Sequence, residues 1–131
     1  MADVAFSYRH LPTNGRIEVF NWYVNGNEVA EVKAEFPVHF YGHIVDGIVD
    51  AGTAPSGSTS IVDVHLNGTT IYTTQGNRPT LPADDTGLYA EAGEPEVTAL
   101  VPGDTLLIEV DQIGSGTAAT RVMYSIVCQM H

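Results

Sequence analysis

A chain of 131 residues is the size of one domain and is long enough to bury a single core without help from disulfides or metals. Sixteen acidic side chains against five Lys and Arg give a formal charge of -11. Such a charge repels both a phosphate backbone and an anionic membrane surface, so neither nucleic acid nor membrane is an expected partner.

Thirteen glycines and seven prolines break any long helical period. Alternating apolar and polar runs between turn signals predict strands instead. Residues 4–8 open the series, and Pro12-Thr13-Asn14-Gly15 predicts a turn. RIEVFNWYV, residues 16–24, follows as an aromatic and β-branched strand, with Phe20 and Trp22 on one face and Ile17, Val19 and Tyr23 on the other. Asn25-Gly26 reads as a type I′ hairpin turn into residues 28–33. Past Pro37, VHFYGHIVDGIVDAG is interrupted at Gly42 and Gly47, where a bulge or bend is expected. APSGSTS, residues 54–60, is a loop. In the next strand Val62, Val64 and Leu66 point one way, and Ile61, Asp63 and His65 the other. Asn67-Gly68 is the structural turn that reverses this strand into residues 69–73. Residues 82–95 are acidic and rich in Gly and Ala, an expected exposed excursion. Residues 97–100 form a short strand, and Pro102-Gly103-Asp104 turns into TLLIEVDQI, with Leu106, Ile108 and Val110 in phase. A turn at 114–117 leads to RVMYSIVCQ, where Val122, Tyr124, Ile126 and Cys128 share a face. The pattern predicts an all-β chain, an antiparallel β-sandwich of jelly-roll-like form with about eight strands.

Reactive constellations are scarce. Cys128 is a single thiol in an alternating apolar run, so a buried structural role is expected. His39 and His43 are four apart, which in a strand separates them by roughly 13 Å, too far for a shared zinc. Asp63 and His65 share a face but are only two ligands, and a solvated polar face is the reading for them. Asp84, Asp85, Glu91 and Glu94 do not have the spacing of a calcium loop. No serine sits in a nucleophile elbow, and the glycines of AGTAPSGS lack the strand-to-helix setting of a phosphate loop. The chain is therefore expected to be non-enzymatic, with no cofactor and no metal. The opening MADVAFSYRHLP has neither the basic start nor the apolar run of a signal peptide, and no stretch approaches the length of a membrane span, so a cytoplasmic origin is expected.

Aromatic residues cluster early. Phe6, Tyr8, Phe20, Trp22 and Tyr23, with Arg9 and His10 among them, are the candidate assembly or partner contacts. A strand apolar on both faces is central in a sandwich or covered by another chain. Arg9, His10, Arg16 and Lys33 also concentrate positive charge in this third of an acidic chain, where a negatively charged surface can be met.

APSGSTSIVDVHLNGTTIYTTQGNRPTL, followed by VTALVPGDTLLIEVDQIGSG, resembles a β-sandwich module of tailed-bacteriophage virion surface proteins, of the capsid decoration, head fibre and tail receptor-binding types. The resemblance covers about residues 47–127. It implies a cofactor-free sandwich, often a homotrimer, exposed on the virion surface after assembly in the host cytoplasm. The main expectation is a capsid decoration (cement) protein whose partners are copies of itself and the major capsid protein. The alternative is a carbohydrate- or receptor-binding module of a tail fibre that takes a host-surface glycan, with Tyr72, Asp63, His65 and Trp22 as contacts. Residues 1–46 have no counterpart in the resemblance and are expected to be the attachment region, with 47–131 the module proper.

Overall fold

The structure, a computed structural model, describes residues 16–84 and 88–131. Ten strands run in chain order: β1 (Ile17–Asn27), β2 (Lys33–Pro37), β3 (Gly42–Thr53), β4 (Ser60–Leu66), β5 (Thr69–Thr70), β6 (Thr80–Leu81), β7 (Tyr89–Glu91), β8 (Ala99–Leu100), β9 (Thr105–Gln112) and β10 (Thr120–Met130). They form two antiparallel sheets. The β1 sheet has the order β1-β10-β3-β7, with β8 also paired to β3; the β2 sheet has the order β2-β9-β4-β5, with β6 also paired to β4. The pairs nest: β1 with β10, β2 with β9, β3 with β8, β4 with β5. The chain changes sheet between β1 and β2, β2 and β3, and β3 and β4, and again on the way back. That nesting is the jelly-roll arrangement expected from the sequence. Three of the strands, β5, β6 and β8, are only two residues long, too short to leave a periodic signal.

Alternation explains the core. Val62, Val64, Leu106, Ile108, Val110, Val122, Tyr124 and Ile126 are buried between the sheets, as their phase predicts; Leu66, expected with them, is only partly buried at the rim. Cys128 is a buried free thiol. Burial foremost, helped by the nearby Glu18 charge, pushes that thiol up to about 12, so it is an inert packing group.

Two local expectations need correction. Asn25-Gly26 is not a hairpin turn. β1 runs through both residues, with a register irregularity between Val24 and Asn27, and the left-handed residue is Glu31, φ 65°. The cause lies in the connection: β1 and β2 belong to different sheets, and a two-residue hairpin can join only neighbours in one. Glu28 enters the interior as the chain crosses, accepting hydrogen bonds from Tyr124 Oη (2.6 Å) and Ser60 Oγ (2.7 Å). Residues 82–95 are not wholly an excursion either, because β7 lies within them and pairs with β3.

At the second turn both φ values are positive, 52° at Asn67 and 88° at Gly68, as a type I′ turn requires. The return strand ends at Thr70, although the Ile71 N–H still donates to Val64 O (2.9 Å), and Ile71 and Tyr72 are fully buried. β3 does carry a bulge, but at Val45 rather than at the glycines: Val127 faces Asp46 while Cys128 faces Ile44, and Gly42 and Gly47 pair regularly with Met130 and Ile126. The boundary drawn at 46/47 falls inside β3, and β1 and β2 are each hydrogen-bonded to strands that follow it.

Candidate functional site

The outer face of the β2 sheet is charged but self-satisfied. Lys33 lies 3.8 Å from Glu109, and Arg78 lies 2.7 Å from Asp111. His65 Nε2 stands 3.5 Å from both Asp63 and Glu109. Asp63 is not the solvated residue expected: its carboxylate is buried, accepting the Val64 N–H (2.8 Å) and the Thr70 hydroxyl (2.7 Å). Those bonds hold the start of the β4–β5 return, so the network is structural. Among the described residues, no group of three or more His, Cys, Asp and Glu is placed to hold a metal ion.

The outer face of the β1 sheet is different. The alternation of β1 sends Phe20 and Trp22 inward, against Phe36, Phe40 and Tyr124, and leaves Ile17, Val19 and Tyr23 outside. Register then builds rows across the strands. In one row Tyr23 faces Met123, Met123 faces Asp50, and Asp50 faces Tyr89. The next row is Asn21, Ser125, Ile48 and Glu91. A third brings Val19 beside Val127 and Asp46. Tyr23 and Tyr89 are each about half exposed, at 50% and 52%. They stand at opposite edges of the face, three strand spacings or roughly 14 Å apart.

Between and beside the tyrosines, polar groups are interspersed with Met123 and Ile48. Ser125 Oγ hydrogen-bonds Asn21 Oδ1 at 2.8 Å. Asp46 and Glu91 share a hydrogen bond across β3 and β7, while Asp46 also accepts the Gly47 N–H at 2.8 Å. Asp46 is raised to about 6, first by desolvation and then by the Glu91 contact. Tyr89 is raised as well, by desolvation and then by Glu91, Asp46 and Asp50. At the other end of the face Ile17, Val19, Val45 and Val127 form an aliphatic area. His43 sits beside it, its Nδ1 2.8 Å from His131 Nε2.

The structure does not gather the residues singled out in the sequence. Phe6, Tyr8, Arg9 and His10 lie outside the described residues. Phe20 and Trp22 face the core, and of the described contact candidates Tyr23 alone is on the outer surface. The four proposed sugar contacts are not available together: Tyr72 is fully buried, Asp63 nearly so, Trp22 is partly buried on the inner face, and His65 is partly open on the other sheet. Tyr89, Asp50, Asp46 and Glu91 were missed as a group. YAE is three residues of alternation within a stretch that otherwise reads as loop, and nothing in it signals pairing with β3.

No family model matches the chain, and no curated protein is significantly similar to it. Among solved structures it is similar to the Agl-KA catalytic domain, at 14% identity and TM-score 0.47, over 89% of this chain and 26% of that one. It is similar to the catalytic unit of a GH87 α-1,3-glucanase from Streptomyces thermodiastaticus, at 12% identity and TM-score 0.43, over 90% and 26%. It is also similar to the carbohydrate-binding module CBM36, solved with calcium and xylotriose, at 14% identity and TM-score 0.40, over 91% and 95%. The chain spans about a quarter of the length of the first two. The sheet order, rather than these overlaps, establishes the jelly-roll sandwich.

Proposed function

We propose that this protein is a non-catalytic glycan-binding module, and that the outer face of the β1 sheet is its binding surface. The row Tyr23–Met123–Asp50–Tyr89 carries this reading. Two exposed tyrosines offer apolar ring faces to the C–H faces of sugars. The carboxylates, amide and hydroxyl between them accept and donate to sugar hydroxyls with the directionality a ligand site needs. An acidic surface is no obstacle to an uncharged sugar. The Asp46–Glu91 pair favours binding over cleavage, since its groups are hydrogen-bonded rather than standing the roughly 5 Å or more apart that glycosidase pairs use. The test is affinity electrophoresis through gels containing xylan, β-glucan, α-glucan or mannan. Retardation by at least one polysaccharide is expected, and Tyr89→Ala should weaken it about tenfold or more, as loss of a buried aromatic anchor does. No retardation in any gel overturns the reading.

The aliphatic end of the same face, Ile17, Val19, Val45 and Val127, supports a second reading. It is the kind of surface a neighbouring subunit covers, and it fits the resemblance to virion surface proteins: a decoration protein, trimeric, bridging subunits of the major capsid protein, with residues 1–46 as the attachment region. Affinity would then come from symmetric multivalency. Light scattering and co-sedimentation with phage particles test it. A trimer that joins particles, and loses them when residues 1–10 are deleted, supports it; a monomer that ignores particles refutes it.

A further inference from the structure

Resting on the glycan reading, we infer that Asp46, Asp50 and Glu91 are specificity-determining residues that restrict this face to uncharged glycans and exclude uronate-bearing ones. The geometry is direct. Asp50 lies in the row between the two exposed tyrosines, next to Tyr89. Glu91 lies one row further along the same face and Asp46 two rows further, both on one side of that row, so a chain lying from Tyr23 to Tyr89 passes over Asp50 with the pair to one side. A sugar carboxylate placed over Asp50 meets like charge. Among the described residues, the β10 positions facing this stretch of β3 are Met123, Ser125 and Val127, all uncharged. The arginine on this side, Arg121, sits at the end over Gly52 and donates to Thr53 Oγ1 (3.4 Å), while His43 is beyond the bulge, bonded to His131. Under β3 the Tyr72 hydroxyl is neutral and buried, adding no positive charge.

Because Asp46 is raised to about 6, first by desolvation and then by its contact with Glu91, the exclusion has a pH dependence of fixed sign. Below about 6 Asp46 is largely protonated; above it Asp46 ionises and the barrier rises. Galacturonate chains stay ionised throughout, so any change in discrimination belongs to the protein.

The experiment is calorimetric titration with xylohexaose, cellohexaose, maltohexaose, mannohexaose and galacturonate hexasaccharide, at pH 5 and pH 7.5. At pH 7.5 the best uncharged probe should bind at least tenfold more tightly than the galacturonate chain, with the ratio severalfold smaller at pH 5. Asp46→Asn should remove the pH dependence of the ratio; Asp46→Asn with Asp50→Asn should bring galacturonate within about threefold of the best uncharged probe. Equal binding of charged and uncharged probes by the unmodified protein, or discrimination unchanged in the double variant, overturns the inference while the glycan reading stands. If no probe binds at either pH, the glycan reading itself has failed.

Discussion

Single residues set this fold at points where backbone or burial allows few alternatives. Gly68 has φ 88°, and a Cβ added there would meet nothing within 4 Å, so the demand is purely conformational. Gly68→Val should therefore lower stability by about 1–2 kcal/mol, the cost of forcing an L side chain into the left-handed region; an unchanged melting temperature would contradict the turn. Asn67 does more than turn. Its side chain donates to Asp104 (3.0 Å) and accepts the Thr105 N–H (3.0 Å), tying the β4 turn to the start of β9. Gly47 meets a different demand, because a Cβ there would come within 2.5 Å of the Tyr72 hydroxyl. That hydroxyl is buried and, among the described residues, has no hydrogen-bond partner. Tyr72→Phe should raise stability by about 1 kcal/mol by removing an unsatisfied buried group. Gly47→Ala should be destabilising alone and largely rescued in the Tyr72→Phe background; equal losses in both backgrounds, by denaturant melts, would rule out that contact.

At the scale of the element, strands with a strict period of two were the most readable. β4, β9 and β10 place their apolar faces as the alternation demands. Their inward residues differ in depth, and mutational cost should follow depth rather than residue type. Leu106 is fully enclosed, so Leu106→Ala should cost about 2–5 kcal/mol. Leu66→Ala, on the partly buried rim of the same sheet, should cost clearly less, and a reversed order in urea titrations would show that the rim is packed as tightly as the centre. β1 shows what period alone leaves open. Its two apolar faces were visible in sequence, but which one meets the core depends on the second sheet that supplies Phe36 as a partner.

For the whole molecule, the crossing between sheets buries Glu28, and that has a consequence for pH. Desolvation raises its pKa, against the lowering effect of the Tyr124 and Ser60 hydrogen bonds. A carboxyl whose folded pKa is raised favours the folded state while protonated. Its contribution is complete below the ordinary value of 4.5 and is lost as pH rises through the folded value. Asp46 acts in the same sense between its ordinary 3.8 and about 6. Glu96 and Asp104, lowered first by their hydrogen bonds to Thr74 and Asn67, act oppositely and lose their contribution only in stronger acid. Relief of the -11 charge adds to the first trend. Melting temperature should therefore rise as pH falls from about 8 toward about 5, with Glu28→Gln flattening part of the rise. A melting temperature that climbs steadily toward alkaline pH would refute this assignment.

The sequence by itself determined the class of fold, the long strands, the Asn67-Gly68 turn and the buried state of Cys128, because period and turn chemistry are local properties written along the chain. It also carried the two-faced character of β1. Only the tertiary structure decided that Glu28 is interior, that Asp63 is a structural acceptor rather than a solvated one, and that β7 exists. It alone assembled Tyr23, Asp50, Tyr89 and the Asp46–Glu91 pair on one surface. Those residues come from β1, β3 and β7, and nothing along the chain records that β10 lies between the first two. Such a surface depends on pairing between distant segments, and pairing is fixed by the closure of two sheets over a common core.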